Sequence, residues 1–496
     1  MATPADGTQP RPALRPPQKG EAVYEYERFF VDGAWVEPRT DAAVEVHSPH
    51  DGAAVGRAPN AAAEDVDVAV AAARRAFDEG PWPWLSPAER VAALRPFVER
   101  YGARTAEMAA LVTGEMGSPA WFSEQAHGLG PWYLMGETLA FAEHYDWERP
   151  RGRNLLRRAP AGVVGIITPW NVPQVTILAK LMPALLAGCT AVVKPAPETP
   201  LDAMLLATML AEADLPPGVV SVITGGAEAG RRLSEHPGVD KVSFTGSAAV
   251  GARIGKACAE RLARCSLELG GKSAAIVCED ADFDRTIDGL RFASFLNNGQ
   301  ACVAQTRVLA PRSRYDEFCA AFAAMASALA VGDPALADTY VGPLVSARQR
   351  ERVASYLEIG LAEGAVAAAG GPGETGDPRG QYVRPTVFRD VTNDMRIARE
   401  EIFGPVVVVI PYEDEDDAVR IANDSPYGLG GSVWTKHRAH GLSIGRRVRT
   451  GTFGINSYGP EFSMPFGGFK ASGIGREYGP ESFDEYVELQ SIYGVA

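Results

Sequence analysis

Hydrophobic residues change their spacing along the chain, and each change marks an element. Over Phe29 to Val36 and Ala43 to His47 they alternate with polar residues, the period of a strand, and Pro49 to Gly52 supplies a turn after the second. From Asp65 the period becomes helical, with Val66, Val70, Ala73 and Phe77 on one face. Ser86-Pro87-Ala88-Glu89 has the form of an N-cap, a first-turn proline and an acidic first turn, so a second helix starts there. A helical, aromatic-rich stretch through Trp121, Trp132, Tyr133 and Trp147 fits a core and a subunit interface equally well.

From residue 160 short apolar runs alternate with helical segments. The spacing predicts strands at Val163 to Ile167, Ala191 to Lys194, Val219 to Ile223 and Lys241 to Phe244. Helices are predicted over about Pro173 to Leu186, Leu201 to Glu212, Ala227 to Ser234 and Ala248 to Ala259. Strands joined through helices at this spacing make right-handed crossovers and a mostly parallel sheet, whose ligands bind outside the carboxyl ends of the strands. Those ends carry Thr168-Pro169-Trp170-Asn171, Lys194-Pro195, Thr224-Gly225-Gly226 and Thr245-Gly246-Ser247, a plausible dinucleotide cleft. No Gly-x-Gly-x-x-Gly follows the first strand. The helix opened by Gly246 to Gly251 still offers free amides to a phosphate, although glycines at such turns more often serve backbone geometry.

A second α/β region is expected from about Gly271. It has strands at Ser273 to Val277 and Val406 to Ile410, helices around Phe292, over Tyr315 to Leu329 and over Asp416 to Asn423, and a turn or hairpin region over Gly364 to Gly380. The last twenty residues, with Tyr486, Val487, Leu489 and Ile492, look strand-like.

Composition narrows the class. At roughly 150 residues per domain, 496 residues predict two to four domains. With 46% hydrophobic and 22% charged residues, the chain is an ordinary globular one. Forty-eight basic residues against 62 acidic ones leave a net charge of −14, which argues against nucleic-acid or anionic-membrane binding through bulk electrostatics. Six dispersed cysteines with no Cys-x-x-Cys exclude a disulfide framework and a local zinc motif, so no metal site is expected and a reducing, cytoplasmic setting is. No apolar run is long enough to span a bilayer. Residues 1–20 hold five prolines and no apolar core, the composition of a flexible arm and not of a secretory signal.

Four residues stand out chemically. Cys302 lies in the polar loop Asn297-Asn298-Gly299-Gln300-Ala301-Cys302-Val303, where a thiol can be exposed, although most free cysteines are buried and inert. Glu268 sits between Leu267 and Leu269 before two glycines; desolvation there raises a carboxyl toward general-base range, while a strand-end glutamate paired with a cation is equally common. Asn171 offers a side-chain amide to an oxyanion or, in the more frequent role, caps a helix. Lys194 ends the second strand, where a ribose is usually recognised; a solvated lysine is the alternative.

These positions belong to a recognisable set. From about residue 25 onward the chain resembles the aldehyde dehydrogenase superfamily. The resemblance rests on Pro169-Trp170-Asn171, Lys194-Pro195, Phe244-Thr245-Gly246-Ser247, Leu267 to Lys272, Gly299-Gln300-Ala301-Cys302, Glu401-Ile402-Phe403-Gly404-Pro405 and Pro465-Phe466-Gly467-Gly468, in order.

It implies an α/β fold with a Rossmann-like cofactor domain (21–140 and 160–269), a second α/β catalytic domain (270–475), a small β oligomerisation element (141–159 and 476–496) and the arm (1–20), assembled as a homodimer or homotetramer. It implies that Cys302 attacks an aldehyde, that Asn171 and the Cys302 amide hold the oxyanion, that hydride passes to a nicotinamide, and that Glu268 activates the water that hydrolyses the thioester. Lys180 and Glu477 match proton-relay positions. The cofactor would lie along Ile167, Thr168, Pro169, Trp170, Lys194, Gly226, Gly230, Phe244, Thr245, Gly246, Ser247, Leu269, Glu401 and Phe403. Pro197 stands where many NAD-preferring members carry a glutamate, with Glu198 one step later, so NAD is favoured and NADP stays open.

The expected aldehyde tunnel, Val172, Thr176, Ala179, Ala301, Val303 and Phe466, is small and apolar. It suits medium-chain, terpenoid or aromatic aldehydes. The alternatives are a semialdehyde or coenzyme A-acylating dehydrogenase, and a non-redox thiol esterase, whose imidazole is hard to find among the seven histidines.

Overall fold

The computed structural model describes residues 24–373 and 375–495. The proposed arm lies outside the described residues.

The alternating helices and apolar runs build two parallel sheets. In the first, five strands run parallel in the order Arg264–Glu268, Lys241–Thr245, Val163–Ile167, Thr190–Lys194 and Val220–Val222. Antiparallel strands close both edges: Gly473–Ile474 on one side, and the hairpin Phe29–Val31 and Ala34–Val36 on the other. Val163–Ile167 and Thr190–Lys194 are buried at every residue, because helices cover both faces of the sheet. The helix Pro173–Ala187 is likewise buried along its whole length, which explains why its sequence is apolar on every side.

The second sheet has seven strands. Val366–Ala369 pairs antiparallel at its edge, followed by Thr386–Arg389, Val406–Tyr412, Arg307–Pro311, Ala274–Val277, Gly431–Trp434 and Gly454–Ile455, all parallel. A third, antiparallel sheet joins Val487–Ile492, Asn154–Pro160 and Glu148–Arg151. A fourth, of Tyr24–Glu25, Ala54–Pro59 and Ala43–His47, packs near the N-terminal helices.

Most expected elements are present within a residue or two. One differs in kind: the single strand expected over Phe29 to Val36 is two strands, because Asp32 and Gly33 both take positive φ (57° and 75°) and turn the chain back as a hairpin. The aromatic-rich helical stretch also ends sooner than expected. It stops at His144, and Trp147 lies beyond it, packed against Tyr145 and Phe483 beside the third sheet.

At the N-terminus of the helix Pro87–Ala103, Ser86 Oγ accepts from the Glu89 amide while the Glu89 carboxylate accepts from the Ser86 amide, the reciprocal cap that the sequence suggests. Ser86→Ala should therefore cost about 1 kcal/mol, seen as a lower urea midpoint. An unchanged midpoint would show that the cap contributes nothing.

Candidate active site

The two large sheets meet head to tail. The first presents its carboxyl edge, and the second presents the segments that precede its strands: Gly271 before Ala274–Val277, Cys302 before Arg307–Pro311, and Glu401 before Val406–Tyr412. A cavity of about 650 Å³ lies along this join.

The chain passes from one sheet to the other through Leu269 to Lys272, and the fit there is tight. A Cβ added to Gly271 would lie 2.4 Å from the Cys302 carbonyl oxygen, and one added to Gly270 would lie 2.4 Å from Glu401 Oε2. The Gly271 amide donates to Glu401 Oε1 at 2.9 Å. Glycine is the residue that lets these backbones approach.

The Cys302 loop is held from three sides. Asn297, Asn298 and Gly299 take successive positive φ angles of 50°, 61° and 71°, a conformation that asparagine and glycine tolerate best. Asn297 Nδ2 donates to the Asn171 carbonyl at 2.8 Å, and Asn171 Nδ2 returns a bond to the Gln300 carbonyl at 2.9 Å. Asn298 Nδ2 donates to the Gly117 and Pro343 carbonyls at 2.9 Å, and Gln300 Oε1 accepts from the Val345 amide at 3.0 Å. These buried amides position the thiol. They belong to the motif, yet the sequence reading assigns them no role; the Asn-Asn-Gly run that favours left-handed backbone was the available signal.

Glu268 ends its strand inside the cavity, 4% exposed, with neither oxygen hydrogen-bonded. Burial, and then Glu477, raises its carboxyl well above the usual range, the environment expected of a general base. Lys180, fully buried on the helix Pro173–Ala187, donates to Thr245 Oγ1 at 2.6 Å and pairs with Glu477. Glu477 is fixed by paired backbone bonds with Phe466, at 2.6 and 2.7 Å. Cys302 is partly buried; burial, then Glu401, Glu268 and Glu477, pushes its thiol up to about 12.

The expected cofactor residues fall in three groups. Pro169, Trp170, Thr245, Gly246, Ser247, Leu269, Glu401 and Phe403 line the cavity, and Trp170 meets Phe403 edge to face at 5.4 Å. Ser247 also caps the helix Ala248–Glu260 by accepting from the Val250 amide. Lys194, Gly226 and Gly230 gather beside the cavity: Lys194 Nζ donates to the Pro195 and Gly225 carbonyls at 2.6 and 2.7 Å, and a Cβ on Gly230 would lie 3.5 Å from its Cε. Burial lowers this ammonium to about 8. Ile167 and Phe244 are buried in the sheet behind, and Thr168 is buried in the loop that follows it.

Val172, Thr176, Ala301, Val303 and Phe466, the residues expected to form the aldehyde tunnel, line the cavity. Ala179 does not; it is 2% exposed and packs into the main core. The cavity also has an aromatic lining that carries no motif: Trp121, Phe122, Phe292, Tyr458, Phe462 and Tyr478. Gln349, Arg348 and Arg352 also reach the cavity from the helix Ala347–Ala362, beside Glu401.

A partly buried thiol at the join of two parallel sheets, with a carboxamide and an unpaired carboxyl lining the same cavity, is an arrangement suited to enzyme chemistry on an α/β fold. A sequence model of the aldehyde dehydrogenase family matches residues 35–492, and the chain belongs to that family. It is an aldehyde-oxidising oxidoreductase. It is 46% identical over 474 residues to a geranial dehydrogenase of Castellaniella defragrans, covering 95% of this chain and 99% of the relative. A 3-succinoylsemialdehyde-pyridine dehydrogenase of a Pseudomonas species is 41% identical, with coverage of 95% and 99%. Among solved structures, a Mycobacterium tuberculosis aldehyde dehydrogenase complexed with NAD+ superposes with a TM-score of 0.94 at 47% identity, covering 95% of this chain and 99% of that one. A cysteine-to-alanine mutant of aldehyde dehydrogenase C from Pseudomonas syringae, in complex with NAD+ and octanal, gives 0.92 at 39% identity, with coverage of 95% and 97%.

With no nucleotide bound, alkylation of Cys302 should accelerate about tenfold per pH unit between pH 7 and 10, following the thiolate fraction. Mass spectrometry of the Cys302 peptide after timed iodoacetamide treatment measures this. A rate already flat at pH 7 would contradict the environment described.

Proposed function

We propose that this enzyme oxidises apolar medium-chain, terpenoid or aromatic aldehydes to carboxylic acids, using NAD and the Cys302 thiolate. The apolar aldehyde end of the cavity carries the proposal. Among the described residues, the basic side chains that line the cavity are Arg348 and Arg352, and Arg352 donates to the Glu401 carbonyl, which ties it beside a residue expected to meet the cofactor and not the aldehyde. The geranial and octanal named for two relatives are of the proposed class.

The residues present suit a dinucleotide. Thr168 Oγ1 is buried without a partner after the strand Val163–Ile167, and the helix Ala248–Glu260 begins directly after Thr245 to Ser247, which line the cavity. Glu198 lies near enough to Lys194 to favour its charged form, and a carboxylate there suits a ribose hydroxyl better than a 2′-phosphate. That supports NAD over NADP, as do relatives solved with NAD+.

In the proposed reaction, Cys302 gives up its thiol proton to solvent, its Sγ bonds the aldehyde carbon, and the carbonyl π electrons pass to the oxygen. Asn171 Nδ2 and the Cys302 amide stabilise the oxyanion. A bound nicotinamide supplies the acceptor for the hydride that leaves this carbon, and the carbon remains as a thioester on Cys302. Glu268 then takes a proton from the water that attacks the thioester, and Glu477 with Lys180 leads that proton away. Because the Glu268 carboxyl is raised, this last step quickens as pH rises and the base loses its own proton.

Hydrolysis by a poised base argues against transfer to coenzyme A. No histidine among the described residues lines the cavity, which argues against a thiol esterase. The third sheet, with Leu489, Tyr493 and Val495 exposed in and just beyond its terminal strand, supports the proposed homodimer or homotetramer.

Cys302→Ala should remove NADH formation with octanal, geranial and benzaldehyde. Glu268→Gln should give one rapid equivalent of NADH and then stall, with an acyl adduct on Cys302 visible by mass spectrometry. Unchanged turnover in either variant would refute its assigned role. A panel in which succinic semialdehyde outperforms every apolar aldehyde would refute the substrate class.

A further inference from the structure

The second sheet has a carboxyl edge of its own, which the cavity described above does not use. At that edge the chain leaves Ala274–Val277 for the helix Phe283–Phe295 and returns to the neighbouring strand Arg307–Pro311. The neighbour on the other side, Gly431–Trp434, leads through the helix Arg438–Gly445 to Gly454–Ile455, in the opposite direction. The two helices lie on opposite faces: Leu290 belongs to one core and Ile444 to the other. Adjacent parallel strands whose connections diverge form a topological switch point, where a crevice opens and ligands are usually held.

Three ligand-bearing side chains converge there. Cys278 follows Ala274–Val277 directly, Asp280 lies two residues on, and His440 comes from the helix Arg438–Gly445. One ligand atom from each lies within 4.8 Å of the others. Ligand atoms around a tetrahedral zinc lie about 3.3 to 3.8 Å apart, given bonds of about 2.0 to 2.3 Å, so closure asks for shifts of about 1 Å.

The cluster is incomplete as it stands. Asp280 Oδ2 accepts from Thr435 Oγ1 at 2.9 Å and from the Lys436 amide at 3.0 Å, yet Oδ1 is shielded from solvent with no partner. Cys278 is 6% exposed and lies near the Asp280 and Glu415 carboxyls, an acidic surrounding that favours a cation. Behind the imidazole, Glu415 bonds His440 Nε2 and is itself held by Arg447 at 2.8 Å. A carboxylate in that place is the outer support that metal-bound histidines commonly have.

We propose that Cys278, Asp280 and His440 form a binding site for one divalent transition-metal ion of the zinc class, with water in the fourth position. Thiolate, imidazole and carboxylate together select such an ion over magnesium or calcium, which prefer oxygen alone. Binding breaks the Cys278 S–H bond, forms a sulfur–metal bond and releases the proton to solvent, with no change of oxidation state. The ion would tie the helix Arg438–Gly445 to the loop after Val277. No local spacing in the sequence announces the set, because His440 lies so far from the other two along the chain.

The test uses the full chain carrying Cys302→Ala, which removes the cavity thiol as a competing ligand. Titration of the metal-free protein with Co2+ should saturate at one equivalent, with thiolate-to-cobalt charge-transfer absorption in the near ultraviolet and release of about one proton per ion. Zn2+ should displace it. Adding Cys278→Ser should abolish the absorption, and adding His440→Ala should weaken Zn2+ binding at least about tenfold while leaving the circular dichroism unchanged. The proposal is overturned if both variants keep the parent affinity and spectrum. It is equally overturned if the parent binds Zn2+ no more tightly than a protein lacking both side chains. Should Cys278→Ser not fold, His440→Ala decides the matter, since its short helix buries only Gly441 and Ile444.

Discussion

The close passage of backbone through Gly270 and Gly271 is the constraint on which the rest of the site depends. Two parallel sheets can share one active site only if the chain crosses between them without pushing them apart. Any side chain at these positions would strike the Cys302 carbonyl or the Glu401 carboxylate. The crossing therefore sets three things together: the end of the Glu268 strand, the height of the Cys302 loop, and the place of Glu401, which accepts from the Gly271 amide. Displacing reacting groups by about 1 Å can cost two orders of magnitude in rate, so this economy of space matters for chemistry as well as for packing.

The same compactness creates an electrostatic problem. Glu268, Glu401 and Glu477 all stand close enough to Cys302 to oppose its thiolate, and Lys180 is committed to Glu477 and Thr245. The resting thiol is therefore protonated, and the field that protonates it attracts positive charge. A nicotinamide ring, which carries such a charge in its oxidised form, suits this site on electrostatic grounds. The ordering of steps in the proposed reaction gains a physical reason: the nucleophile becomes strong when the positive ring is beside it and stays quiet otherwise.

Much of the architecture was legible because its signals are local. Apolar runs such as Val163 to Ile167, separated by helical segments, specify a parallel sheet, and the Ser86 to Glu89 cap needs four residues to be recognised. That Cys302, Glu268 and Asn171 would come together was also legible, from their loop and strand-end contexts together with the motif set, and all three line one cavity. The misses were tertiary. Ala179 sits at tunnel-facing spacing after Val172 and Thr176, yet the buried helix Pro173–Ala187 turns it into the core, because that helix is apolar all round and its sequence cannot say which face meets the cavity. The Asp32-Gly33 turn was hidden inside an alternating run. Asn298 reaches Gly117 and Pro343, contacts that no sequence period encodes.

Chemistry and specificity consequently occupy different kinds of position. The reacting groups sit at the sheet join, where backbone geometry leaves little freedom. The aldehyde wall is assembled from distant helices and loops: Trp121 and Phe122, Phe292, then Tyr458, Phe462 and Tyr478. Phe462 and Phe466 both pack against Tyr478, at 5.2 and 5.3 Å between centroids, so the wall is braced by ring contacts. On the proposed function, an aromatic replaced there would change the width of the tunnel by the volume of a ring. A family built this way can change its aldehyde without rebuilding its reaction, which is why the motifs identify the reaction and the aromatic wall must supply the substrate.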